Sequence, residues 1–422
     1  MKPVEKLRAH SAEFAKKVFS VCDDVHTAVG YAASNSTMIE GDDGIIIIDT
    51  TESTRAASNI LAEFRKISSK PVRAIIYTHG HRDHISGASV FAEGGSPKIF
   101  ARSNLAIELA EDDGYPYPTK LMVERTKRQF GIGLEYETER INLGLGPGDR
   151  PVEGLGQGFL KPTDWIEEDR LDVTICGVSL SLIAAPGETE DHLVVWRERD
   201  RVLFSGDNYY KSFPNLYAIR GTKYRDFNVW ADTLDTLIAL DPVKVVPGHS
   251  RPLMEADSIS SVLADYRDAI RYIVAKCAEG MDLGLTPDEL VNFVQLPDEL
   301  ASRPFLQEYY GTVEWSVRAY YSGTVGWFDG NPTNLFPLTP IQEAERIANL
   351  AGGSEELATQ MDMALKDADY QWALQLADRV ARLNGYNDRA KIVKRSALLA
   401  LAEEQVNATA RNYYISVAKE LG

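Results

Sequence analysis

Four groups able to hold a metal ion fall within six residues. The segment Thr78-His79-Gly80-His81-Arg82-Asp83-His84 carries His79, His81, Asp83 and His84. Imidazole and carboxylate are ligands for zinc and similar ions. The alternation of His79, His81 and Asp83 lets one loop turn several ligands the same way. Asp83 and His84 are adjacent ligands that can point to a second centre. The chain has seven histidines, the others being His10, His26, His192 and His249, so three within six positions is a concentration. Such a set supports metal-assisted hydrolysis, in which bound cations bring water into ionisation near neutral pH.

A ligand loop of this kind needs rigid elements behind it. Residues 73–77, Arg-Ala-Ile-Ile-Tyr, read as a buried strand ending at Thr78-His79. Residues 37–40 and 45–49 read as neighbouring strands joined by the turn Gly41-Asp42-Asp43-Gly44, and 54–66 has helical spacing. Residues 179–185 form a strand ending at Pro186-Gly187-Glu188. Residues 193–196 and 202–204 pair across a polar turn and lead to Ser205-Gly206-Asp207. A strand at 243–246 ends at Pro247-Gly248-His249. Several strands thus deliver a polar residue at the C-terminal end, where α/β architectures assemble their sites.

H-x-H-x-D-H after a buried strand resembles the signature of the metallo-β-lactamase superfamily, and Glu188, Asp207 and His249 stand at its later stations. The resemblance implies an αββα sandwich with the site along one sheet edge. Most of that superfamily has His after the Pro-Gly. Glu188 there resembles the alkylsulfatase branch, the zinc-dependent sulfatases that hydrolyse alkyl sulfate esters. Gly326-Trp327-Phe328-Asp329-Gly330-Asn331-Pro332 resembles the branch's G-W-[YF]-D-G-N-P motif, which opens its helical dimerisation domain. Arg411-Asn412-Tyr413-Tyr414 resembles that domain's closing helix. Two departures stand out: Asp207 where the branch usually has Glu, and an end before the sterol-carrier-like domain of longer members.

By this resemblance His79, His81 and Glu188 hold one zinc ion, Asp83, His84 and His249 hold a second, and Asp207 bridges them. Asn215 and Arg220 match residues that contact the sulfate group, a task that suits a guanidinium fork. Tyr321 matches a tyrosine at the sulfate pocket, although Tyr320 adjoins it. His192 is expected near the site as a proton donor, a supporting group or a structural histidine. Asp49, at the end of a strand, is placed to orient a metal-bound histidine. The expected function is binuclear zinc hydrolysis of an alkyl sulfate ester to alcohol and sulfate, with Asp207, Arg220, Tyr321 and His192 in the catalytic group. The alternative keeps fold and metals but takes another ester, a lactone, a thioester, a phosphoester or an amide.

The remaining sequence sets limits on partners. From about residue 255 the pattern turns helical, with candidates at 256–279, 340–350, 354–366, 370–383, 388–401 and 408–421. Two units follow: a catalytic domain over 1–255 and an α-helical, dimer-forming domain over 256–422. The 422 residues carry 45 basic and 62 acidic side chains, a net charge of −17, which argues against nucleic acid or an anionic membrane as partner. No stretch is long and apolar enough to span a membrane. Cys22, Cys176 and Cys277 are far apart, odd in number and without a C-x-x-C pair. That spacing excludes a disulfide framework or thiolate zinc ribbon and fits a reducing compartment. With charges throughout the first twenty residues, the chain is expected in the cytoplasm, as a homodimer acting on a small anionic ester.

Overall fold

The computed structural model describes residues 2–106 and 119–422. Two sheets face each other. The first has seven strands in chain order: β1 (Lys17–Cys22), β2 (Val25–Val29), β3 (Ser36–Glu40), β4 (Ile45–Ile48), β5 (Val72–Ile76), β6 (Lys98–Arg102) and β7 (Asp164–Ile166). Pairing is antiparallel from β1 to β4 and parallel from β4 to β7. The second sheet has the order β12-β11-β10-β9-β8, with β8 (Arg170–Ile175), β9 (Val178–Ala184), β10 (Leu193–Arg197), β11 (Val202–Gly206) and β12 (Lys244–Pro247). Only β11 and β12 run parallel within it.

Side-chain alternation explains how the layers stack. All four isoleucines of β4 are buried. Ile46 and Ile48 enter the core between the sheets with Ile76, Leu182, Val195 and Phe204. Ile45 and Ile47 face outward, under Ile60 and Phe64 of the helix Thr54–Phe64. A period of two buries both faces when each is covered, and each such side chain contributes roughly 1.5–3 kcal/mol. The helix Thr54–Phe64 begins where the Ser53 side chain accepts a hydrogen bond from the backbone N–H of Ala56, an N-cap that fixes its start beside the site.

On the far side, the helix Phe227–Ala239 lays Trp230 and Leu234 on Val194, Trp196 and Leu203 of the second sheet. The helix Ala256–Asp282 adds Ile259, Leu263, Tyr266 and Ile270 to the same cluster, and Val317 and Tyr321 of the helix Val313–Val325 complete it. The core therefore continues past residue 255. A separate cluster binds the helices Pro340–Ala351, Ser354–Lys366, Tyr370–Val380 and Asn387–Glu403 through residues such as Ala344, Met361, Leu376, Val380 and Val393. The last helix, Ala408–Glu420, returns to the sandwich and packs on the helix Thr119–Gln129. Among the described residues no helix is long and apolar enough to cross a membrane.

Candidate metal centre

Every predicted ligand sits just beyond a strand end, in the loop after one or, for Asp83 and His84, in the short helix Arg82–Ile85 that follows such a loop. β4 ends at Asp49, whose backbone is left-handed at φ 56°, as are those of Thr51 at 69° and Ser250 at 67°. Strained non-glycine backbone of this kind persists only where its surroundings over-determine it. Asp49 accepts hydrogen bonds from the Thr78 backbone N–H and hydroxyl, both at 2.8 Å, and so ties the end of β4 to the start of the ligand loop. It also accepts from His84 Nδ1 at 2.8 Å. A carboxylate can only accept here, so His84 Nδ1 carries a proton and Nε2 is the ring atom left facing the site. His249 is oriented the same way, with Nδ1 donating to the Ala33 carbonyl at 2.8 Å. Asp191 holds the loop itself, accepting from the Gly80 backbone N–H at 2.9 Å.

The ligand atoms then converge. His79, His84 and Asp207 bring one atom each within 4.8 Å of one another, as do Asp83, His84 and His249, and as do His81, Glu188 and Asp207. Asp207 is shared between two of these groups. Its Oδ2 lies 3.2 Å from His249 Nε2, 3.3 Å from His84 Nε2 and 3.7 Å from His79 Nε2. Gly248 makes this approach possible, because a Cβ there would stand 2.2 Å from Asp207 Oδ1.

The donor set fits metal ions. His84 Nε2, Glu188 Oε2 and Asp207 Oδ1 are buried without a hydrogen-bond partner. Orphaned lone pairs in a dry site cost several kcal/mol unless a cation takes them. The electrostatics point the same way. Burial, aided by the neighbouring His84 and His81, holds His79 well below the usual histidine range. Burial also opposes charge on His84, yet Asp207, Asp83 and Asp49 carry it well above that range. Asp207 is likewise resisted by burial, and His249 and His84 hold its carboxyl well below the carboxylate range. Such mutual dependence is characteristic of a ligand cluster.

Beyond Asp207 the chain folds over the site. Asn215 and Arg220 are both buried. The Asn215 backbone N–H donates to the Tyr210 hydroxyl at 2.7 Å, and the Arg220 backbone N–H donates to Gln129 Oε1 at 2.9 Å. The Arg220 guanidinium lies 5.8 Å from the centre of the Phe130 ring. His192 is fully buried, stacked 4.8 Å from His79, and its Nε2 accepts the Asp207 backbone N–H at 3.0 Å. Burial lowers its pKa to about 3. The Tyr321 ring joins the apolar cluster that includes Phe227 and Trp230, and its hydroxyl donates to the Phe328 carbonyl at 3.4 Å.

Residues 29–249 match the metallo-beta-lactamase superfamily, and residues 286–422 match the alkyl sulfatase dimerisation family. The chain is 38% identical over 392 residues to a linear primary-alkylsulfatase of Pseudomonas sp. (strain ATCC 19151), covering 91% of this chain and 73% of that one. It belongs to the alkylsulfatase branch of the metallo-beta-lactamase superfamily. A second alkylsulfatase, the (R)-specific secondary enzyme of Pseudomonas sp., is 30% identical over 418 residues, 96% of this chain and 62% of that one. The solved stereoselective inverting sec-alkylsulfatase Pisa1 from Pseudomonas sp. superposes with a TM-score of 0.87 at 28% identity, covering 96% of this chain and 65% of that one. The chain thus spans less than two thirds of the length of the last two alkylsulfatases.

Against this family background one residue that sequence reasoning missed is prominent. Arg225 is buried, and its Nη1 lies 2.5 Å from Glu188 Oε1 and also donates to the Asn215 carbonyl. It sits in the loop before the helix Phe227–Ala239, where no periodicity marks it. Its only sequence signal is a second arginine five residues after Arg220. Asn35 was missed too. Its Nδ2 donates to the carbonyls of Pro247 and Ser250 and so shapes the loop that carries His249.

Proposed function

We propose that the chain is a binuclear zinc hydrolase that cleaves alkyl sulfate esters to alcohol and inorganic sulfate. The observation that carries this reading is the pairing of a largely buried cluster of seven potential ligands with buried Asn215 and Arg220 on the segment just after Asp207. His79, His81 and Glu188 would hold one ion and Asp83, His84 and His249 the other, with Asp207 between them. Bound divalent cations would supply positive charge to an anionic ester and acidify water.

The rest of the work falls to side chains. Arg220 supplies a planar fork of donors that matches two oxygens of a tetrahedral oxyanion, and Asn215 adds a neutral donor. Sulfate is a good leaving group, so neutralising its developing charge counts for more than a strong general acid. His192 acts as a positioning residue. With its Nε2 lone pair committed to the Asp207 backbone and its ring held neutral, it braces Asp207 and His79 without moving a proton. Tyr321 acts through the Gly326–Pro332 segment, which its hydroxyl touches.

The helical unit serves as the dimer contact in this reading. In this reading it spans residues 256–422, with its helices up to Val313–Val325 sharing the core of the sandwich and the later ones forming a core of their own. Trp327 is 73% exposed and Phe336 94% exposed just beyond that helix, an apolar strip that a second copy would cover. Three unpaired cysteines favour the cytoplasm. The test is a panel of primary alkyl sulfates, phosphate monoesters, lactones and β-lactams offered to wild type and to Arg220→Ala. Sulfate-ester turnover in the wild type that collapses in the variant, at equal metal content, supports the reading. Sulfate-ester turnover that survives the substitution removes the sulfate assignment.

A further inference from the structure

Glu188 stands where most of the superfamily places a histidine, and that exchange has an electrostatic consequence. A carboxylate among the ligands adds a negative charge to a buried site already holding Asp207 and, beside them, the partly exposed Asp83. The side chains of Glu188 and Arg225 are only 3% and 2% exposed, and their atoms approach to 2.5 Å. The contact uses one carboxylate oxygen. Oε1 faces Arg225, Oε2 has no hydrogen-bond partner, and the carboxylate belongs to the grouping with His81 and Asp207. The Glu188 backbone N–H is held by Asn208 Oδ1 at 3.3 Å. The side chain therefore has one oxygen anchored and one presented. The anchor is itself fixed, because Nη1 of Arg225 also donates to the carbonyl of Asn215.

We infer that Arg225 is the positioning residue that makes a carboxylate workable as a metal ligand at this station. Its guanidinium cancels the extra charge of Glu188 and turns Oε2 toward His81 and Asp207. An imidazole at position 188 would bring no charge and would need no such partner. Glutamate 188 and arginine 225 thus form one functional unit, joined across 37 residues of sequence. The inference rests on the reading of Glu188 as a metal ligand. Outer partners of a ligand typically change metal affinity by about 10–100-fold, which sets the scale of the test.

The experiment titrates metal-free protein with zinc against a competing chelator, using wild type, Arg225→Met, Arg225→Lys, Glu188→Ala, Glu188→His and the double variant Glu188→His/Arg225→Met. Thermal melting of each metal-free protein reports folding separately. Arg225→Met is expected to weaken the more labile zinc by about 10-fold or more, and Arg225→Lys, which keeps the charge, to recover most of that loss. The double variant is expected to bind zinc better than either Arg225→Met or Glu188→His alone, since both partners of the unit are exchanged together. Arg225→Met with unchanged zinc affinity, while Glu188→Ala loses a zinc, overturns the inference and leaves the ligand reading intact. Glu188→Ala with both zinc ions retained overturns the ligand reading itself. Additive effects in the double variant, or a raised KM for alkyl sulfate at unchanged zinc affinity, also overturn the inference, the latter by showing Arg225 on the anion.

Discussion

The strand-end site and the helices of residues 340–403 bury their side chains for opposite reasons. Around Asp207 the buried groups are His79, His84, His192, Glu188, Arg225 and His249, and several of their polar atoms have no protein partner. In the helical unit the buried positions are Ala344, Ala358, Met361, Ala373, Leu376, Val380 and Val393, with no charged group among them. The second arrangement gains stability from packing. The first spends it on preorganisation, because buried charges destabilise a fold until a ligand or ion satisfies them. Stability and chemistry are thus assigned to different parts of one chain, and substitutions can separate them.

The sharpest break comes at the shared carboxylate. Asp207→Ala should lower kcat/KM by more than the ~10²–10³-fold typical of one lost oxyanion donor, with loss of bound zinc. The melting temperature of its metal-free form should be unchanged or higher; a large drop would show that Asp207 is structural cement and erase the contrast. Arg220→Ala should cost about 10²-fold in kcat/KM, with kcat itself reduced, while zinc content measured by elemental analysis is unchanged. In the helical unit the signs reverse. Leu376→Ala should destabilise by about 2–5 kcal/mol in chemical denaturation, while kcat/KM per folded molecule and zinc content stay at wild-type values.

A last effect, on stability alone, concerns the buried His10. His10 packs flat on Tyr309 at 3.8 Å, with Nε2 2.9 Å from the Gly144 carbonyl. Burial lowers its pKa from 6.5 to about 4. Between those values the unfolded chain binds a proton that the folded chain refuses, so stability is complete above pH 6.5 and falls as pH drops toward 4. The loss amounts to about 3 kcal/mol. In metal-free protein His10→Gln should flatten that limb of the stability curve, as followed by urea unfolding at several pH values.

Much of this arrangement is legible in the sequence, and the reasons are local. Four isoleucines before Asp49, a buried strand before His79 and Pro-Gly turns before Glu188 and His249 are short-range signals, and each marks a true strand end. The spacing of His79, His81, Asp83 and His84 announces the ligand loop without any knowledge of the fold. Helical periodicity likewise finds the elements from Pro340 to Glu420.

What escapes is set by contacts between distant segments. The pairing of Arg225 with Glu188, the hold of Asn35 on the loop that carries His249 and the support of Gln129 beneath Arg220 join residues that no short window contains. The continuity of the core across residue 255 escapes for the same reason. The helix Ala256–Asp282 has the period of any amphipathic helix, and only the face of the second sheet shows what its apolar side covers. The contact of the Tyr321 hydroxyl with the Phe328 carbonyl, which ties the helix Val313–Val325 to the segment after it, has no mark in the sequence either.

The central claim is that the buried cluster and Arg220 together hydrolyse a sulfate ester in a metal-dependent way. The most direct measurement follows sulfate and alcohol release from a primary alkyl sulfate, using metal-free protein before and after reloading with zinc. The account predicts no turnover without metal and full recovery at two zinc ions per chain, with sulfate and alcohol released in equal amounts. Sulfate release that persists in metal-free protein, or a zinc-loaded protein that releases none while hydrolysing another ester or a lactone, would contradict it.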